Sequence, residues 1–355
     1  MLPGFPVNTG SDRAPIGVMR SRDRLTGGSG AEAPEKGVAM ATPRAGAIAG
    51  FLLAIGSAAS FALSGIFGSA LITAGWSPGA AVTARITFAA IVLLAPTLVM
   101  LRGRWGMVRR AWRPILLFGL LAVAGCQVFF FLSVQYIPPS LALLVEFMGP
   151  VLLMFWMWAR TRVAPSVLTL IGAGMAVLGL VAVSGVGVGG SIHLLGLLFG
   201  LGAAVGNAAY YATGAQTDHG IPPLPFVGLG LAVAAVMLWI ASAVGILPFA
   251  VSGEPTTVAG VEVSPVLVVT GMVLISTVLS YVLGVAASRR LGATVSSFAG
   301  YSEPMFGILW TMLLLSIFPT GMQWVGAALI IAGVVAVKVG ELLRSRRRRA
   351  ATGSG

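Results

Sequence analysis

The chain has 355 residues, of which 57% are hydrophobic and only 9% charged, against about 25% charged in a soluble domain. No single soluble core hides that much apolar surface, so a soluble globular fold is excluded and the bilayer is the solvent. The net charge of +12 would point to nucleic acid in a soluble protein, but here the basic residues lie beside apolar runs, which makes the membrane surface the partner instead.

Residues 1–44 are polar, rich in Pro and Gly and mixed in charge, and lack the apolar core of a signal peptide. They read as a disordered basic cytosolic tail, with Met40 a second candidate start. A membrane-spanning helix needs about 20 apolar residues, and from Ala45 onward ten such runs follow: 46–74, 77–101, 115–136, 139–159, 165–184, 192–215, 224–247, 263–286, 291–317 and 319–341. Turn residues mark the breaks at Gly75–Gly79, Pro138–Pro139, Gly185–Gly190, Gly220–Pro223, Gly292 and Pro319–Gly321. Lys and Arg set orientation. With ten spans, 21 of the 22 basic residues fall on one side, and the odd-numbered loops carry only Glu254 and Glu262. Both termini are therefore expected in the cytosol.

Two stretches, Ser140–Pro150 (SLALLVEFMGP) and Thr294–Pro304 (TVSSFAGYSEP), each place one glutamate and one proline inside an apolar run. At an offset of 154 residues eight pairs coincide without a gap: Pro150/Pro304, Trp156/Trp310, Pro165/Pro319, Gly172/Gly326, Ala173/Ala327, Gly179/Gly333, Ala182/Ala336 and Val183/Val337. Chance similarity among apolar residues rarely aligns two prolines, two glycines and a tryptophan, so the pattern reads as an internal duplication. Five runs per copy is an odd number, so the second copy crosses the membrane upside down. The charges agree: Arg160 and Arg162 face the cytosol, while their counterparts Leu314 and Ser316 lie outside. The expected fold is an all-α membrane protein of ten transmembrane helices in two inverted five-helix repeats, 45–184 and 192–341, followed by a basic cytosolic tail, 342–355. Such repeats place a site near the midplane between the halves.

Arg85 is the one basic residue left within a run; burying it costs about 2.5–3.5 kcal/mol. Glu146 lies at a similar depth from the outer side. The two either pair and fix helix packing, or Arg85 faces a cavity and meets a substrate carboxylate. Glu303 lies near the midplane on a face with Ser296, Gly300, Gly307 and Trp310. It reads as a protonated acid bonded to a neighbouring helix or as a site for a substrate amine or a proton. Pro150 and Pro304 each free a backbone carbonyl, which kinks a helix and offers a ligand. Two stripes are too small and polar for lipid: Ser57, Ser60, Ser64 and Gly68 in the first run, and Gly200, Ala203, Asn207, Tyr210, Tyr211 and Gly214 in the sixth. They serve close helix packing or wall a cavity, to which Gln127, Ser280, Tyr281 and Tyr301 are further candidates. Trp76, Trp105, Trp112 and Trp324 read as interface anchors. The single cysteine, Cys126, reads as a small buried residue and allows neither an intramolecular disulfide nor a cysteine metal cluster; His193 and His219 are too far apart for a ligand pair. No phosphate-binding glycine loop, metal cluster or Ser/His/Asp set is present, so no enzyme and no cofactor are expected. Uphill movement would draw on an ion or substrate gradient.

These segments resemble those of a known family. The Arg-containing VTARITFAAIVLL, the LLVEFMGPVLL around Glu146, the GYSEPMFGILW around Glu303 and the GxxLIIAGVV run from Gly326 to Val335 look like the EamA branch of the drug/metabolite transporter superfamily. The two acidic segments are similar to those of its threonine/homoserine exporter group. The resemblance covers Ala45 to Glu341. It implies a secondary transporter of the inner (cytoplasmic) membrane that works by alternating access and exports a small metabolite, an amino acid such as threonine or homoserine, with protons as a candidate coupling ion. Two rivals stay open: an exporter of cationic drugs or quaternary ammonium compounds, and a non-transporting membrane scaffold whose basic tails dock on anionic lipid or a partner.

Overall fold

The computed structural model describes residues 43–184, 193–316 and 318–352; residues 1–42 of the expected N-terminal tail and the Gly185–Gly190 turn lie outside them, and the tail's last two positions, Pro43 and Arg44, open the first helix instead. Described helices are α1 (Pro43–Thr73), α2 (Pro78–Leu101), α3 (Trp105–Val134), α4 (Pro139–Glu146), α5 (Gly149–Thr161), α6 (Val167–Ser184), α7 (Leu194–Gly214), α8 (Pro223–Ala243), α9 (Pro265–Leu291), α10 (Ala293–Ala299), α11 (Ser302–Leu315) and α12 (Gly321–Thr352). Eight segments are long and apolar enough to cross a membrane: α1, α2, α3, α4 with α5, α7, α8, α9 and α12. The apolar part of α6, Val167–Val183, is shorter, and the ninth run is split between α10 and α11. The last helix continues past residue 341, where a tail was expected. A hairpin of β1 (Thr256–Val258) and β2 (Val261–Val263), closed by Thr256 Oγ1 donating to the Val263 carbonyl at 2.6 Å, departs from a purely helical fold. Its turn, Ala259–Gly260, has positive φ at both residues, a short-range signal that hydropathy does not carry.

Local chemistry sets the helix starts. Ser77 caps α2 by accepting the Ala80 N–H at 3.2 Å, with Pro78 in the first turn. The interior is packed through small residues. α6 and α12 run antiparallel, Gly172 opposite Gly333 and Gly179 opposite Gly326; a Cβ at any of the four would stand 2.6 Å from its partner's carbonyl oxygen. Only hydrogen fits there, and close approach of this kind is how helices associate without a hydrophobic driving force. The largest buried cluster joins α2, α3, α8 and α9 around Phe118, whose ring meets Phe226 at 5.0 Å and Tyr281 at 6.2 Å.

Two helices open into wider π-helical turns, Phe118–Gly125 in α3 and Leu274–Leu279 in α9. In α9 three hydroxyls take up the carbonyls this exposes: Ser276 and Thr277 both donate to Met272 O at 2.9 Å, and Ser280 to Ser276 O at 2.7 Å. The chain also breaks between α4 and α5 at Phe147–Met148 and between α10 and α11 at Gly300–Tyr301. Pro150 has no N–H for the Glu146 carbonyl; at the second break the Gly300 carbonyl is taken by the Glu303 N–H at 2.9 Å, one residue early.

Candidate functional site: a cavity at the helix breaks

The two breaks and, through Ala122, the π-helical turn of α3 face one cavity of about 580 Å³, walled by α1, α2, α3, α4, α7, α9, α10 and α11. It brings together most of the residues expected from sequence: Arg85, Glu146, Glu303, Ser64, Gln127, Asn207, Tyr210, Tyr211, Tyr281 and Pro304 all line it. Pro150 is buried beneath the first break and does not. Tyr301 does not line it either. It is fully buried against Phe147 and Phe298, ring centroids 6.1 Å and 5.5 Å away, with its hydroxyl unpartnered; placed at the break itself, it turns away from the cavity into the core. Ser280, also a wall candidate, is buried with its hydroxyl turned back to its own helix.

The charged groups are held by other partners than sequence depth implied. The Glu146 carboxyl accepts from the Cys126 thiol at 3.3 Å; the same sulfur lies 3.4 Å from the Ala203 carbonyl. Arg85, 5% exposed, stacks over Phe61 at 5.4 Å, and its Nε has no partner. The expected Arg85–Glu146 pair is thus not formed among the described residues: equal depth does not place two helices side by side, and α2 packs mainly on α8. The guanidinium and both carboxyls still lie within electrostatic reach of one another across the cavity. Asn207 Oδ1 is buried without a partner. The site therefore offers a cation and an unpaired amide oxygen alongside two acids, with aromatic walls between. Such a set fits a small ligand carrying both signs of charge.

Sequence reading missed Phe61 and understated Cys126. Phe61 lies four residues past Ser57 and three before Ser64, on the same α1 face, so it was within reach of the stripe argument. No periodicity signals that a thiol on α3 meets a carboxyl on α4.

The cavity is one-ended. Its lining runs along α1 to Ile72 and onto Pro78, reaching the bundle end at the Ala74–Ser77 turn. At the other end it stops against packed groups. Ser57 Oγ donates to Ser280 O at 2.7 Å, and Ser288 and Ser296 hydroxyls meet at 3.0 Å. A Cβ at Gly284 would run into the Tyr210 hydroxyl. Beyond them Arg289 Nη1 donates to Ile221 O and Nε to Gly214 O, with the guanidinium over Phe226 at 5.4 Å. His219 stacks on the same Phe226 at 5.5 Å and accepts the Ile221 N–H through Nδ1 at 3.2 Å.

Comparison with known proteins places this architecture. The EamA-like transporter family matches residues 48–185 and again 194–339. An inner membrane transporter of Salmonella typhimurium, YicL, described as uncharacterized, is 25% identical over 65% of this chain and 75% of its own length. The threonine/homoserine exporter RhtA of Salmonella typhimurium is 28% identical over 66% of this chain and 72% of its own. A solved structure described only as "Crystal structure of protein" has a TM-score of 0.65 at 20% identity, covering 83% of this chain and 97% of that one. At that identity it bears on the fold alone.

Proposed function

Because this chain belongs to the EamA-like transporter family and is a multi-pass membrane protein, we propose that it spans the inner membrane ten times as two inverted repeats, with both termini cytosolic, and exports a small zwitterionic metabolite by alternating access. An amino acid of the threonine or homoserine kind is the substrate this reading favours. The matched segments are of a family of transporters, not enzymes.

Several echoes support the inverted repeats. At the 154-residue offset Leu274–Leu279 falls on residues 120–125 of the other π-helical turn. The two helix breaks coincide within one residue. The α6–α12 contact is symmetric under the same offset, since Gly172/Gly333 maps onto Gly326/Gly179; a pair that exchanges with itself while running antiparallel is what a two-fold axis in the membrane plane produces.

The observation that carries the export reading is the cavity itself, holding Arg85, Glu146 and Glu303 around about 580 Å³. Glu146 and Glu303 are the acidic poles, binding the substrate ammonium or exchanging protons, and Arg85 meets the carboxylate. Asn207, Tyr210, Tyr211, Tyr281, Gln127 and Ser64 supply polar and aromatic wall. The packed end with Arg289 is the closed gate; the end at Ile72 is open. A cation-only ligand brings no carboxylate for the Arg85 guanidinium to meet, which weighs against the drug-export rival, and a scaffold has no use for a polar cavity. The basic tails are read as resting on anionic lipid.

The test is efflux from cells lacking their own amino-acid exporters, preloaded with labelled threonine, homoserine or an aromatic amino acid. Faster loss of one class than with empty vector supports the reading. No difference for any of them, with resistance to quaternary ammonium compounds instead, replaces it with drug export.

A further inference from the structure

A second pocket, of about 300 Å³, lies between α5, the link to α6, α10 and α12. It is lined by Met154, Met157, Trp158 and Thr294 and carries both Glu341 and Arg344. Both charged residues are half-buried, and Arg344 is steadied by donating to the Val163 carbonyl at 3.0 Å. Under the ten-span reading this pocket faces the cytosol.

A third pocket, of about 310 Å³, lies at the opposite end. The two are copies of each other. At the offset of 154, Thr294, Met154, Met157, Pro165 and Thr169 of the first correspond to Ser140, Ile308, Thr311, Pro319 and Gln323 of the second. The copies differ in connection. The outer pocket shares the walls Leu143, Phe147, Pro304 and Gly307 with the central cavity. The equivalents of those four, Ser297, Tyr301, Pro150 and Leu153, are all buried, Ser297 and Tyr301 at 0% exposure and Leu153 at 1%. They form a closed seam between the cytosolic pocket and the cavity, and the seam contains the unpartnered Tyr301 hydroxyl. A buried hydroxyl without a partner costs stability, as a group kept for another arrangement would. The copies also differ in chemistry: only the cytosolic one has a carboxylate and a guanidinium in its wall.

We propose that the Glu341–Arg344 pocket is the cytosolic loading site for the zwitterionic substrate, joined to the central cavity through the Ser297–Tyr301 seam when access reverses. Glu341 takes the ammonium, Arg344 the carboxylate, and Met154, Met157 and Trp158 the side chain. The inference rests on the export reading above and deepens it, because it assigns the groups that capture substrate before the cavity opens to it.

The experiment uses the full-length protein in inside-out and right-side-out membrane vesicles, with labelled threonine as the probe. For Glu341→Gln and Arg344→Gln, the KM for uptake into inside-out vesicles, which reads the cytosolic face, is expected to rise about ten-fold, the loss of one hydrogen bond to a charged group. The maximal rate from the cytosolic face and the KM from the opposite face should stay within about two-fold; because the ratio of maximal rate to KM must fall equally in both directions at zero driving force, the opposite face shows the change as a lower maximal rate. An unchanged cytosolic KM in a correctly inserted variant overturns the loading site, as does an equal rise on both faces or a fall in rate alone. If one variant fails to insert, the other reads the same prediction. If the wild-type protein moves no threonine, homoserine or other amino acid in either vesicle, the export reading itself fails, and the loading site with it.

Discussion

The break between α4 and α5 and the break between α10 and α11 open the backbone at equivalent places, yet they carry their acids on opposite sides. Glu146 ends the helix before its break, and Glu303 lies in the first turn after the other. At the 154-residue offset Glu146 corresponds to Gly300, and Glu303 to Gly149. Each acid thus stands where the other copy has a glycine. Both glycines face α7: a Cβ on Gly149 would come within 2.8 Å of Asn207 Oδ1, and one on Gly300 would run into the Tyr211 hydroxyl. Asn207 and Tyr211 lie one turn apart on that helix, so α7 threads past both breaks and takes a glycine from each. The 154-residue offset relates the places where the backbone opens; the exchange of acid and glycine gives the two openings different chemistry.

That comparison breaks most sharply at the acids. Glu303→Gln and Glu146→Gln are each expected to lower efflux about 10- to 100-fold, the range for losing a hydrogen bond to a charged group, with insertion and melting temperature little changed. If only one of the two matters, the acids are not a matched pair, and the surviving one is the substrate or proton site. Retention of full transport in both would leave them structural.

The next largest effect tests the scaffold. Gly172→Ala places a methyl 2.6 Å from the Gly333 carbonyl, whereas Gly174, two residues on, has nothing within 4 Å. The first is expected to cost about 1–3 kcal/mol by overpacking, seen as a lowered melting temperature of the purified protein; the second should change stability by no more than a few tenths of a kcal/mol. Because α6 and α12 meet symmetrically, Gly333→Ala should match Gly172→Ala. Unequal costs would show that the two copies do not share the contact evenly.

A smaller effect separates the two acids by their neighbours. Glu146 has the Cys126 thiol and Glu303 has no equivalent thiol in its wall. Cys126→Ala should raise the KM for export about 2- to 10-fold, the worth of one ordinary hydrogen bond, and Cys126→Ser, which still donates, should restore most of it. Equal loss in both would mean that the sulfur matters for packing rather than for orienting the carboxyl.

The sequence was most informative where a residue type is expensive in a bilayer. Arg85, Glu146, Glu303 and the polar face of α7 stood out against an apolar background, and the sparse prolines and glycines carried the 154-residue offset. What remained hidden depends on how helices rotate and sit side by side. Depth along a span put Arg85 level with Glu146, but not in contact; its partner is Phe61, on a different helix. Tyr301 lies on a polar stretch and still turns inward, because the break re-aims it. In the α9 π-helical turn the Met272 carbonyl is taken by Ser276 and Thr277, and hydroxyls inside an apolar run do not announce which carbonyl they will take; the α3 turn, Phe118–Gly125, has no hydroxyl at all to signal it. The 256–263 hairpin follows local turn geometry, on which hydropathy is silent.

The smallest effect concerns the two ends of the cavity, one open and one latched. His219 lies in the loop between α7 and α8, at the latched end. Burial holds its imidazole below the ordinary value of 6.5, the nearby Arg289 lowers it further, and Asp218 opposes both. Nδ1 accepts the Ile221 N–H, so that nitrogen is the one a proton must take, and protonation removes the bond as it adds a charge beside Arg289. The fold therefore holds fewer protons than the unlatched loop, in which His219 regains its ordinary value. The stabilisation from a neutral His219 is complete above that value and is lost as pH falls from about 6.5 toward the lower latched value. Hydrogen exchange of the 214–223 loop should accelerate as pH is lowered through this window, after correction for intrinsic exchange rates, while the Ala74–Ser77 turn at the open end should show no such step. His219→Gln cannot take the proton and should flatten the response. A step that persists in that variant would move the titration away from the latch and leave Arg289 and its two carbonyls as a contact insensitive to pH.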